Sequence, residues 1–239
     1  FSLILLVSGI LWACSPSSTP LPIPTNTVKA PTLTTPTLPS PSATPRIPTP
    51  TPAESCQSKL GQLVKGIVET ALLDKPMTYT VYLPPCYAAE TERRYPVLYL
   101  LHGQNATEEQ WIRLGVPATA GRLIAAGEIS PFIIVFPYDY SYKQPKDYRF
   151  EEVFLNLLIP RIDAAYRTLP NPAQRAIGGL SRGGAWALRL GIHHPDVFGV
   201  IGAHSPAIFY SDTNSLSLFV RDIPAEQLPR IFIDIGDSD

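Results

Sequence analysis

The sequence predicts an α/β domain built on a mostly parallel sheet with helices on both faces, over residues 54–239 of a 239-residue chain. Three observations predict it. Short, continuously apolar runs recur, as expected of parallel strands buried on both faces. Stretches of helical spacing fall between them, which calls for right-handed crossovers. The alternating, half-polar strands come first, as a pair.

The elements follow in order. Residues 62–69 (QLVKGIVE) and 77–83 (MTYTVYL) alternate and are rich in β-branched and aromatic side chains, and Asp74-Lys75-Pro76 breaks the chain between them. They read as an antiparallel lead-in pair closed by Pro84-Pro85. Residues 95–101 (YPVLYLL) and 131–136 (PFIIVF) are buried strands, and 117–127 between them is a helix opened by Pro117 and closed by Gly127. Residues 151–166 are helical with a kink expected at Pro160, and Glu151 and Glu152 at its start are placed to complement the helix dipole. A buried strand at 175–180, a helix at 185–194, and strands at 197–203 and 230–235 complete the pattern.

What precedes the domain is of another kind. Residues 1–13 (FSLILLVSGILWA) have the length of a signal-peptide apolar core and are too short for the ~20 residues of a spanning helix. Leu11, Ala13 and Cys14 resemble a bacterial lipoprotein box, so residues 1–14 predict export with lipidation at Cys14. Residues 15–53 hold twelve of the 27 prolines, interleaved with Ser and Thr. Such a stretch cannot offset chain entropy by burying apolar area and predicts a disordered, extended linker. Together they describe a cell-surface or extracellular protein joined to the membrane by an N-terminal lipid. In that oxidising setting Cys56 and Cys86 are expected to pair, contributing about 2–4 kcal/mol. A net charge of −1 leaves no basic stripe for nucleic acid. No Cys or His stands at metal-ligand spacing, and no metal or organic cofactor is implied.

Three segments carry chemistry, all at predicted strand ends. Gly179-Leu180-Ser181-Arg182-Gly183, followed by Gly184, matches G-x-S-x-G directly after a buried strand and before a helix, where a sharp corner lifts the Ser hydroxyl above the sheet. The helix start places unpaired N–H groups near developing negative charge. Leu101-His102-Gly103-Gln104 ends an earlier strand, and a backbone N–H there is placed to join the one after the nucleophile in binding an oxyanion. His102 reads as a loop-shaping residue rather than a base. The third segment is Ile235-Gly236-Asp237-Ser238-Asp239, where either carboxylate follows the nucleophile in the order Ser, Asp, His.

With Val81-Tyr82-Leu83-Pro84-Pro85, the run from Tyr95 to Gly103, Trp111, Leu158-Ile159-Pro160-Arg161-Ile162-Asp163 and residues 175–184, these segments resemble the putative-esterase (esterase D-like) branch of the α/β-hydrolases. That branch includes feruloyl esterases, enterochelin esterase-like proteins, S-formylglutathione hydrolases and mycolyltransferases. The resemblance implies an α/β-hydrolase fold and a serine carboxylic-ester hydrolase. Ser181 would be the nucleophile, the Gln104 and Arg182 N–H groups the oxyanion hole, and Asp239 the orienting acid in preference to Asp237. Arg182 stands where the family often has Met, which leaves the amide donor intact and alters the pocket rim. The family's catalytic His should follow some thirty residues later, so the resemblance also implies a fragment lacking the final strand and helix.

Of the histidines present, His193 and His194 are expected at a helix C-terminus or in solvent; His204 follows a strand end near the site and is the minor alternative to a base beyond residue 239. Trp111 and Trp186 read as packing residues. Tyr138, Asp139, Tyr140 and Tyr142 follow a strand end with room for an aromatic substrate, a weak signal in a chain with eleven tyrosines. An acyltransferase of the same fold and a non-catalytic binding lipoprotein are the alternatives to a hydrolase acting on a small-molecule or carbohydrate-linked ester.

Overall fold

A computed structural model describes residues 60–237. The segments read as signal peptide, lipidation site and linker lie outside the described residues. A seven-stranded sheet runs in the order β1-β2-β4-β3-β5-β6-β7. Strands β1 (Gln62–Val68) and β2 (Met77–Leu83) form the expected antiparallel pair, and β2 pairs antiparallel with β4 (Ile133–Pro137). The others, β3 (Val97–Leu101), β5 (Arg175–Leu180), β6 (Val200–His204) and β7 (Arg230–Asp234), are parallel to β4 and to one another.

Because β3 to β7 are parallel, their carboxyl ends share one edge, and the chain leaves β3 toward β4 on one side before returning to β5 on the other. That reversal opens a crevice at the strand ends, the usual ligand position in open α/β sheets.

Alternation along the central strands feeds two cores. Tyr99 and Leu101 pack with Phe150, Phe154, Trp186 and Phe198 beneath α5 (Arg182–His193), whereas Leu98 and Leu100 pack with Trp111, Ile112 and Ile124 beneath α1 (Gln110–Arg113) and α2 (Val116–Ala125). Gly115, at φ 83°, turns the chain between the latter two helices.

The predicted kinked helix has a specific form. Helix α3 (Phe150–Val153) widens into a π-helical turn (Phe154–Leu158) before α4 (Ile159–Ala165). Pro160 has no N–H to return to the carbonyl four residues back, and its ring crowds that carbonyl; the widened turn absorbs both effects. Helix α6 (Leu216–Asp222) and the short α1 were not anticipated, since neither spans enough turns to show a periodic stripe. Among the described residues no helix is long and apolar enough to cross a membrane.

Candidate active site

Ser181 sits between β5 and α5 at φ 54° and ψ −114°, backbone angles that cost a non-glycine residue strain. Its flanking glycines are required by contact. A Cβ on Gly179 would meet the Gly183 carbonyl carbon at 2.4 Å, and one on Gly183 would meet the His102 and Leu101 carbonyl oxygens at 2.5 Å. The corner is pinned from outside: the Ser181 N–H donates to the His204 carbonyl (2.8 Å), and its own carbonyl accepts from the Ala185 and Ala207 N–H groups (2.9 and 3.1 Å). The residue is half-buried.

The segment after β3 presses against this corner. His102 is buried, and both ring nitrogens face backbone. The Asp139 N–H donates to Nε2 (2.9 Å), which assigns the remaining proton to Nδ1, where it is donated to the Gly103 carbonyl (2.7 Å). Burial holds the imidazole pKa below its usual value, in agreement with a neutral ring. The Gly103 N–H donates to Gln110 Oε1 (2.7 Å), and Trp111 Nε1 donates to the Leu101 carbonyl (2.9 Å). The Gln104 N–H enters none of the loop's backbone hydrogen bonds. The Arg182 N–H, as the first of α5, has no acceptor within the helix.

Arg182 differs from the sequence expectation in one respect. Its guanidinium does not stand on the pocket rim but is buried, Nε donating to Asp139 Oδ2 (2.7 Å) and Nη2 to the Lys143 carbonyl (2.9 Å). Asp139 also accepts from Trp186 Nε1 (2.8 Å) at Oδ2 and from the Ser141 N–H (3.1 Å) at Oδ1. In the sequence Asp139 reads only as a neighbour of tyrosines. The available signal was a carboxylate and a guanidinium predicted at the same sheet edge.

Tyr138, Tyr140 and Tyr142, with Gln104 and Asn105, line a cavity of about 150 Å³ between the two loops. Tyr142 donates to Asn105 Oδ1 (2.5 Å), Tyr140 accepts from the Lys75 N–H (2.9 Å), and the Tyr138 ring lies 5.4 Å from His102. Trp186 is wholly buried and Trp111 partly so, both in packing roles.

The remaining candidates divide. Asp237 is exposed just past β7. Asp239, Cys14 and Cys56 lie outside the described residues; Cys86 is disulfide-bonded. His193 and His194 stand at the C-terminus of α5, as one of the two expected placements has it, where Glu151 takes His194 Nε2 at 2.9 Å, Arg189 Nε at 2.7 Å and His193 Nδ1 at 3.9 Å. Burial alone would raise the Glu151 pKa, but these donors pull it well below the usual carboxylate range. His204 ends β6, its Nδ1 2.8 Å from Asp234 Oδ2 and its ring 6.1 Å from Trp111.

A mostly parallel sheet carrying a strained serine corner at its topological switch point defines an α/β-hydrolase fold. The family model described as Putative esterase matches residues 70–239, and the chain belongs to that family. An endo-1,4-beta-xylanase/feruloyl esterase from Xylanibacter ruminicola is 33% identical over 179 residues, covering 69% of this chain and 23% of the relative. A solved ferulic acid esterase is 29% identical with a TM-score of 0.65, over 74% of this chain and 80% of the other. A feruloyl esterase module from Clostridium thermocellum, complexed with sinapinate, shares the fold at 21% identity and a TM-score of 0.63, over 75% of this chain and 68% of the other. The chain spans less than a third of the length of the curated relatives it matches, 23% and 30%.

Proposed function

We propose that the protein is an exported serine carboxylic-ester hydrolase that works through an acyl-enzyme and accepts aromatic acyl esters of the feruloyl type. The observation that carries this reading is the Ser181 corner, with Gly179 and Gly183 packed too tightly for any side chain. Ser181 Oγ attacks the ester carbonyl, giving up its proton to a base. The oxyanion is held by the Gln104 and Arg182 N–H groups. The base returns the proton to the departing alkoxide, and water then repeats the sequence to release the acid.

The family order places the base after the acid. His204 precedes both Asp237 and Asp239, so it is kept as a second reading, on the strength of its contact with Asp234. The feruloyl preference is supported by the relatives and by the tyrosine-lined cavity beside Gln104. Export and lipid attachment at Cys14 rest on the sequence alone; loss of radiolabelled palmitate incorporation on Cys14→Ala would bear them out, and retained labelling would refute them.

The test is hydrolysis of methyl ferulate and p-nitrophenyl acetate by the intact protein and its Ser181→Ala variant. Turnover should fall by about 10⁴-fold or more. Turnover unchanged by the substitution would overturn the serine mechanism.

A further inference from the structure

We propose that Asp139 is a positioning residue whose carboxylate and amide together hold both oxyanion donors in one geometry, an inference that rests on the hydrolase reading above. The connection is continuous. The Asp139 carboxylate binds the Arg182 guanidinium (2.7 Å), whose own backbone N–H is one donor. The Asp139 N–H donates to His102 Nε2 (2.9 Å), and His102 Nδ1 donates to the Gly103 carbonyl (2.7 Å). That carbonyl belongs to the same planar unit as the Gln104 N–H, the other donor. In a trans peptide the two groups point in opposite directions, so fixing the carbonyl aims the N–H. On its other side the Gly103 N–H is held by Gln110 (2.7 Å), which leaves the Gly103–Gln104 peptide little freedom to flip.

Arg182 and Asp139 are both buried, and the second carboxylate oxygen, the Trp186 indole and the Lys143 carbonyl complete their hydrogen bonds. An apolar residue at position 182 would supply the same backbone N–H without the link to Asp139. The guanidinium therefore adds registration between α5 and the loop after β4, since it reaches two acceptors there at once, which a lysine cannot do in a fork geometry, and the Asp139 N–H carries that registration on to His102 in the loop after β3. Each step is a hydrogen bond between ordered, buried groups, so a displacement at Asp139 reaches the Gln104 amide through two bonds only.

The experiment compares Asp139→Asn, Asp139→Ala, Arg182→Met and the Asp139→Ala/Arg182→Met double variant in the intact protein, reading kcat, KM, Tm and the inhibition constant of phenylboronic acid. Phenylboronic acid forms a tetrahedral adduct on the serine and presents an oxygen to the donors. Asp139→Ala should lower kcat by about 10–100-fold, less than outright loss of a donor at about 10²–10³. KM should stay within about twofold, the inhibition constant should rise in step with the loss of kcat/KM, and the double variant should be no slower than the worse single. Asp139→Asn, which keeps one acceptor and the shape, should fold and fall between wild type and alanine. If folded variants show lower Tm with kcat and the boronate constant within about twofold of wild type, Asp139 is a structural residue only and the proposal fails. Multiplying losses in the double variant would also overturn it. If Ser181→Ala retains turnover, the hydrolase reading itself fails, independently of this result.

Discussion

Two histidines stand on the same edge of the sheet, and they are held in opposite ways. His102, just past β3, is buried with one ring nitrogen accepting from the Asp139 amide and the other facing the Gly103 carbonyl. His204, at the end of β6, is about half-exposed at its side chain, and only Nδ1 is engaged, by the still more accessible Asp234 carboxylate. The first ring is a strut between two loops, with no nitrogen left for chemistry. The second has the partner pattern of an oriented base yet stands at the rim. Sequence alone reads His102 as a loop-shaping residue and His204 as a candidate near the site; what fixes the two roles is which groups surround each nitrogen and whether water is among them.

The comparison can be broken in several places. Gly183→Ala would drive a methyl into the His102 and Leu101 carbonyls; a clash of backbone on backbone cannot be relieved by rotamer change. Stability should fall by about 1–3 kcal/mol, with turnover reduced further than Tm alone explains. A variant of normal Tm and activity would mean the β3 loop does not press on the corner as described.

His102→Ala removes an acceptor from the buried Asp139 N–H and a donor from the Gly103 carbonyl. The expected loss is about 1–3 kcal/mol in urea unfolding, from leaving those groups unpaired. His204→Ala, by contrast, should leave Tm within about 1 °C, because an exposed polar contact such as that with Asp234 is worth little. Its kcat should stay within about tenfold of wild type. A loss of about 10⁴-fold would make His204 the base and retire the reading that places it elsewhere.

The smallest effect is a pH dependence. Burial depresses the folded pKa of His102 below the 6.5 of a free imidazole. Between those two values the unfolded chain binds a proton that the folded protein refuses, so stability is full above pH 6.5 and declines as pH falls toward the lower pKa. Glu151 works further down. Its folded pKa lies below 4.5, so its contribution is present above pH 4.5 and is lost on acidification through the lower value. Urea midpoints measured from pH 7.5 to 4 should decline below 6.5 in the wild type and less so in His102→Gln; parallel curves would mean His102 is not the responsible group.

Much of this architecture was legible from residue order. The antiparallel lead-in pair, the buried parallel strands and the serine corner each rest on local patterns such as period-two alternation, apolar runs and spaced glycines. What was not legible depends on contacts far apart in sequence. Arg182 beside Asp139 spans 43 residues, and nothing in either neighbourhood announces that the guanidinium turns inward. Likewise Glu151 gathers Arg189, His193 and His194 across about 40 positions, where local reasoning saw only a dipole partner at a helix start. The π turn before Pro160 lies between these cases: proline predicts a disturbance, but only packed neighbours decide its form.

The central claim is that position 181 bears the reactive hydroxyl. A fluorophosphonate probe applied to the folded protein, followed by peptide mass mapping, addresses it without assuming any substrate. The account predicts one adduct per chain, on Ser181, abolished by Ser181→Ala and by prior denaturation. Labelling of a different residue, or none on folded protein that hydrolyses methyl ferulate, would contradict it.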